Sequence, residues 1–292
     1  MRREHLLGVF YLSLATLLWA TTFVVVKDSL KTLSAGQITL VRFFFATLCF
    51  APFLWVRNRR LWAAGLELGI YLFLAYFSQT IGLASTSASR SAFITTLYVV
   101  MLPLLLGLLG QRLGWNIWLA ALLAILGVGL LSYDGSPPGP GDFWTLLTAL
   151  SYTVYIWRIV GFATRFPSLP LTGIQMLVVL LLALGWVAWE QPRWNWEGFP
   201  WGSLIYLGLV ASALCVWLQA LGQRFVPAAE AAIIYALEPV YASIFAYFLL
   251  HERLGWQGRI GAALIVLATL VSQLLSARPH SGQITAEPSG ED

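Results

Sequence analysis

Ten apolar stretches, each about as long as a helix that crosses a bilayer, run through the chain at about residues 6–27, 37–56, 62–83, 91–110, 115–133, 142–162, 170–190, 200–223, 230–250 and 256–276. A hydrocarbon core about 30 Å thick takes about 20 apolar residues per helical crossing, so this spacing commits most of the 292 residues to the membrane and leaves no sizeable domain outside it. Backbone polar groups in lipid must be satisfied inside a helix or a closed barrel, and unbroken apolar runs lack the alternation of barrel strands. The predicted fold is an all-α integral membrane bundle of ten transmembrane helices, here called spans one to ten. Composition agrees: 10% of residues are charged, against about 25% in a soluble domain.

The net charge of +4 comes with no basic stripe interleaved with aromatics. The basic excess therefore reads as an orienting signal in a chain whose partner is the lipid bilayer, with no nucleic acid expected. Cys49 and Cys215 lie in apolar runs, and no Cys/His spacing fits a metal, so no metal and no cofactor are expected. Arg2 and Arg3 precede an apolar run from Leu6 to Val26. That run exceeds the apolar region of a signal peptide and is predicted to stay as span one.

The chain repeats itself. At an offset of 141, Gln111-Arg112-Leu113-Gly114-Trp115 falls on Glu252-Arg253-Leu254-Gly255-Trp256, and at an offset of 140, Gln79-Thr80-Ile81-Gly82 falls on Gln219-Ala220-Leu221-Gly222. Paired Gln, Gly and Arg-Leu-Gly-Trp do not align through apolar bias alone, which predicts a duplication. The organisation expected is a first five-helix repeat at 1–134, a linker loop at 135–141, a second repeat at 142–277 and a disordered cytoplasmic tail at 278–292. Five crossings per half is odd, so the second half sits upside down, an arrangement found in secondary transporters. With the N-terminus inside, ten basic residues lie on the inner segments and six on the outer ones. This bias predicts both termini in the cytoplasm.

Several segments carry a family resemblance. Leu18-Trp19-Ala20-Thr21-Thr22-Phe23 is similar to the Trp-Gly-Ser/Thr-x-Phe segment of the drug/metabolite transporter superfamily, in particular its EamA-type ten-helix transporters. Arg42-Phe43 fits an Arg-Phe signature of span two, and Leu237-Glu238-Pro239 with His251-Glu252-Arg253-Leu254 resembles the penultimate-helix pattern. Ala20 stands where Gly is usual and Gln111 where an acidic residue is usual. Tyr98 takes the place matched to Pro239, so span four is expected to bend at Pro103 instead. The resemblance implies an alternating-access carrier in a bacterial cytoplasmic membrane, with its cavity built from spans one, three, four, six, eight and nine. It also implies substrates among amino acids, nucleosides, other metabolites and toxic organic compounds. Export of amino acids or related small metabolites is the function expected, by a chain acting as a monomer.

Polar groups within membrane helices are costly, so each is a functional candidate. Glu238 lies about eight residues into span nine, roughly 12 Å from its start at about 1.5 Å per residue, near the membrane centre. It is a candidate for proton coupling, for substrate recognition, or for bracing the kink at Pro239. Residues three or four apart share a helix face, which groups Tyr235, Glu238 and Tyr241 on span nine and Ser91, Thr95 and Tyr98 on span four. The other cavity spans offer Thr16 and Trp19; Tyr76 and Gln79; Thr148, Tyr152 and Tyr155; and Ser212, Cys215 and Gln219.

From these the predicted substrate contacts are Trp19, Tyr76, Gln79, Thr95, Tyr98, Tyr152, Tyr155, Gln219, Tyr235 and Glu238, with Pro103 and Pro239 as gating points. Such a cage of rings, amides and hydroxyls suits a neutral or zwitterionic small molecule with an apolar side. Tyr, Ser and Thr also serve as interhelical packing in any bundle. Arg42, near the predicted start of span two, is expected to play a structural role, snorkelling or pairing with a helix end, Glu67 to reach the interface, and Trp115, Trp118, Trp194, Trp196, Trp201 and Trp256 to form an interfacial belt. No metalloprotease, aspartate-rich or nucleophile-elbow motif points to an enzyme. With no ATP-binding loop and lysine only at positions 27 and 31, neither ATP-driven nor phosphate-carrying transport is indicated. A non-transporting receptor remains the rival reading from another class.

Overall fold

The computed structural model describes residues 2–86, 88–132, 137–241, 244 and 255–276. Span one is α1 (Arg2–Trp19) followed by α2 (Thr22–Ser29); span two is α3 (Ala35–Phe50); span three is α4 (Arg59–Ser85). Span four is split into α5 (Ala88–Thr96) and α6 (Tyr98–Leu108), and α7 (Trp115–Ser132) is span five. The second half continues with α8 (Pro140–Ala163) and α9 (Ser168–Glu190). Span eight is α10 (Trp201–Tyr206), a π-helical segment Leu207–Leu214 and α11 (Cys215–Gly222). Span nine opens with α12 (Ala228–Tyr235), resumes at Glu238 and is described to Tyr241, and α13 (Trp256–Ser276) is span ten.

The protein is thus an all-helical membrane bundle. Seven of the described helical stretches are long and apolar enough to cross a bilayer, with Trp115–Leu130 and Trp256–Ser272 as shorter apolar helices beside them. The His251–Leu254 motif, the Asp134–Ser136 part of the linker region and the tail from Arg278 lie outside the described residues.

Local chemistry sets the boundaries. Ser34 caps α3 in a reciprocal capping box with Gln37, and the Asn58 side chain accepts from Arg60 N and Leu61 N at the start of α4. Pro140 opens α8, where a missing N–H costs nothing. Lys27 Nζ donates to the Leu83 and Thr86 carbonyls at 2.6 and 2.9 Å, satisfying the C-terminus of α4. The break after Trp19 follows from Thr21 and Thr22, whose hydroxyls donate to the carbonyls of Leu18 and Trp19 and compete with the helical ladder.

The bend in span four is not at Pro103, which sits inside α6. The helix breaks at Leu97, whose amide bonds three residues back to Ile94 O at 3.2 Å. Leu237 does the same to Ile234 O at 3.1 Å in span nine, two residues before Pro239. Pro103 removes a single donor, which a helix absorbs by bending slightly. The two breaks are 140 residues apart, so Tyr98 corresponds to Glu238 rather than to Pro239.

The packing has an exchange pattern. α7 runs along α13 and α3 along α9, while α4 packs on α8 much as α11 packs on α1. Swapping the halves maps each of these pairs onto itself or onto the other. Small residues permit the closest approach: a Cβ on Gly127 would lie 2.6 Å from Gly261 O across the α7–α13 contact.

Polar ties join the halves at both ends. At the end that holds the start of α1, His5 Nε2 lies 3.0 Å from Glu230 Oε2, and Arg158 makes a two-pronged pair with Glu67, with Nη2 to Oε2 at 2.9 Å. Glu67 is therefore engaged with α8 while its side chain stays about a third exposed. At the other end Asp142 accepts from Arg90 Nε and Thr86 Oγ1, both at 2.9 Å, and from Gly139 N at 2.7 Å. Trp115, Trp196, Trp201 and Trp256 are exposed on the flank, and Trp194, Trp196 and Trp201 stack on one another.

Candidate functional site

A pocket lies where the interrupted helices meet. Trp19 and Thr22 enter it from the α1–α2 break, Tyr76 and Gln79 from α4, Thr95 and Tyr98 from the two sides of the Leu97 break, Tyr152 and Ile156 from α8. Gln219 of α11 and Tyr235 and Glu238, on either side of the second break, complete it. Three of its components are repeat-related pairs, each 140 residues apart: Gln79 with Gln219, Thr95 with Tyr235, and Tyr98 with Glu238. The pocket therefore sits on the exchange axis of the two halves.

Its walls are aromatic. Trp19, Tyr235, Tyr98, Tyr152 and Tyr76 form a chain of tilted and edge-on rings with successive centroids 5.8, 6.4, 6.4 and 6.5 Å apart, the arrangement ring quadrupoles favour. Trp19 Nε1 donates to Ala211 O at 2.9 Å in the π-helical segment, which fixes its plane. Tyr235 donates to Gln223 Oε1 at 3.2 Å, and Gln223 Nε2 in turn holds Ile156 O.

The remaining polar atoms are different. The Tyr76 hydroxyl, the Thr95 hydroxyl and both amide atoms of Gln219 are buried without a hydrogen-bond partner among the described residues. Buried polar groups are nearly always paired, so four such atoms converging on one pocket mark a place built to bond something else. The cavity is narrow, about 30 Å³, which is room for water rather than for a metabolite. A wider cleft of about 340 Å³ opens beside Arg158 at the end holding the start of α1, between Leu106, Gln111, Trp157 and Ala229.

Nine of the ten predicted contacts line the pocket. Tyr155 does not: it is fully buried and donates to Gln175 Oε1 of α9 at 2.8 Å. Three residues advance about 300° around a helix of 3.6 residues per turn, enough to carry Tyr155 past the edge of the stripe that Tyr152 heads. Other stripe residues are also spent on packing: Thr16 bonds Leu12 O, Ser78 meets Thr148, and Cys215 faces Ala15 O. Thr22 and Ile156 join the pocket unforeseen. Thr22 belongs to the Leu18–Phe23 segment and Ile156 lies one turn beyond Tyr152.

Arg42 does not snorkel; it is buried against the π-helical segment of span eight. It is 2% exposed, with Nε donating to Ser212 Oγ at 3.0 Å and its guanidinium 4.5 Å from the Tyr76 ring centroid.

A multi-pass helical bundle that closes an aromatic, hydrogen-bonding pocket on its internal axis has the build of a small-solute membrane transporter. The chain belongs to the EamA-like transporter family, which matches it over residues 6–133 and 139–273. An uncharacterized transporter of Archaeoglobus fulgidus is 31% identical over 90% of this chain and 84% of its own length. A biotin transporter of Escherichia coli strain K12 is 27% identical over 93% of this chain and 95% of its own, and one from Salmonella typhimurium is also 27% identical. A crystal structure at 20% identity superposes with a TM-score of 0.77 over 96% of this chain and all of that one, which shows a shared fold.

Proposed function

We propose that the protein is a secondary carrier that moves small organic metabolites, amino acids or related compounds, by alternating access. Its two halves, 1–134 and 142–277, rock about the central pocket with the second half inverted. The observation that carries this reading is the pocket itself: repeat-related residues meet there around buried donors and acceptors that lack partners among the described residues. A site on the axis between two similar halves can be presented to either side of the membrane by the same small motion. The narrow cavity corresponds to an occluded arrangement, and the wider cleft to an entry vestibule at the end we assign to the cytoplasm of a bacterial cell.

The helix breaks at Leu97 and ahead of Pro239 are the natural gates, because a segment with fewer ladder bonds reorients at lower cost. Net direction follows the gradients. Glu238 is the group we assign to proton coupling in a coupled cycle; in a facilitated one it binds substrate. A second reading, biotin as the substrate, is favoured by the relatives named biotin transporters and by the paired amides Gln79 and Gln219, which match a cyclic urea.

Uptake into proteoliposomes tests both. A labelled panel of aromatic, branched and sulfur amino acids, nucleosides, biotin and a cationic dye is offered with and without an imposed pH gradient. Saturable flux of an amino acid supports the first reading and saturable flux of biotin the second. Concentrative uptake only with the gradient supports proton coupling. No flux of any member sinks the carrier reading in favour of a receptor.

A further inference from the structure

We propose that Arg42 is a carboxylate-recognition group held behind the pocket wall, which makes the substrate class small organic monocarboxylates. The inference rests on the carrier reading above. Arg42 Nε is occupied by Ser212 Oγ, but Nη2 is buried and without a hydrogen-bond partner among the described residues. No carboxylate among those residues forms an ion pair with it, Glu238 on the other side of the pocket included, and Glu67 is taken by Arg158, Glu230 by His5 and Asp142 by Arg90. A buried cation with only a hydroxyl and two ring faces for partners, and no carboxylate, is costly to bury, so stability alone does not account for it. A guanidinium fork is suited to a planar carboxylate, which it binds through two parallel N–H groups.

What separates this cation from the cavity is the Tyr76 ring, which lines the pocket while the guanidinium lies 4.5 Å from its centroid. The ring is a movable partition. Its hydroxyl makes no well-formed hydrogen bond among the described residues, and its neighbours Phe43 and Tyr152 meet it edge-on at 5.0 and 6.5 Å, so the ring is held by packing and by the guanidinium. The anchor on Ser212, within the π-helical segment, keeps the fork aimed while the ring moves. A substrate carboxylate that displaces Tyr76 meets Nη2, while the substrate's apolar ring stays among the tyrosines and Trp19.

Matched probes isolate the charge: phenylpropionate against phenylpropionamide, and biotin against its primary amide. Each is titrated calorimetrically into the purified full chain and then offered to proteoliposomes. Wild type is expected to bind at least one carboxylate about tenfold or more tightly than its amide, with Arg42→Gln bringing that ratio near one and leaving amide affinity unchanged. Arg42→Lys should keep part of the preference. Should Arg42→Gln fail to fold, Tyr76→Ala serves instead: removing the partition raises the carboxylate-to-amide ratio.

A ratio that survives Arg42→Gln, or that Tyr76→Ala leaves as it was, overturns the proposal and returns Arg42 to bracing the π-helical segment. Flux of neutral solutes with no preference for carboxylates leaves the carrier reading standing and removes this one. Neither binding nor flux of any probe removes both.

Discussion

Two glycines on one helix allow a steric argument to be separated from helix propensity. Gly127 and Gly129 both lie in α7, and replacing either by Ala gains up to about 1 kcal/mol of helix propensity. Their surroundings differ. A Cβ at 127 would fall 2.6 Å from Gly261 O and 2.8 Å from Ile265 Cγ1, whereas at 129 its nearest neighbour is Phe93 Cε2 at 3.8 Å. Restoring an ordinary contact of about 3.5 Å at 127 requires α7 and α13 to part by roughly 1 Å against backbone that cannot rotate away. Overpacking of this kind costs about 1–3 kcal/mol, and since the propensity gain is common to both variants, that range is also the expected gap between them. Gly129→Ala should match or exceed wild type in thermal stability in detergent, measured by size-exclusion after heating, and Gly127→Ala should fall below it. Equal behaviour of the two would refute the close α7–α13 contact.

Three further outcomes follow from the geometry. The Glu67–Arg158 pair is two-pronged but about a third exposed, so its coupling in a double-mutant cycle should be on the order of 1 kcal/mol or less after solvent screening; a value several times larger would mean the pair is shielded. Tyr98→Ala and Tyr235→Ala should abolish competition by aromatic amino acids, while Tyr155→Phe, which loses only the bond to Gln175, should leave inhibition intact at a stability cost of about 1 kcal/mol. Loss of inhibition in Tyr155→Phe as well would point to a general packing effect. Glu238→Gln should make uptake indifferent to an imposed pH gradient; a variant with the wild-type gradient dependence assigns the proton to another group.

The bundle is written in the chain because lipid imposes one rule, about twenty apolar residues per crossing, and the apolar runs obey it. The pocket was also within reach, since Gln79 and Gln219 could be matched by their shared spacing to the following glycine. What one-dimensional reading misplaced depended on angles and on depth. Counting residues from a helix start puts Arg42 near the end of span two, yet its place in the bundle is against the neighbouring π-helical segment, where Ser212 receives it. Proline is the visible breaker and points to Pro103, but the break in span four lies at Leu97, next to Thr96, whose hydroxyl donates back to Ala92 O. Tyr155 shared a stripe on paper and turned past its edge in space.

The π-helical segment in span eight has an arithmetic meaning. A backbone turn that closes five residues back instead of four, as over Leu207–Leu214, accommodates a surplus residue without lengthening the helix by a full step, and the Ser212 hydroxyl adds its own bond to Leu207 O. Everything beyond it is rotated by one residue's worth, about 100° at 3.6 residues per turn. Gln219 thus faces the pocket by virtue of that surplus. Deleting one residue between Leu207 and Leu214 would give a more regular helix and turn the same amide away from the pocket, so a local irregularity of the backbone sets which surface of span eight lines it.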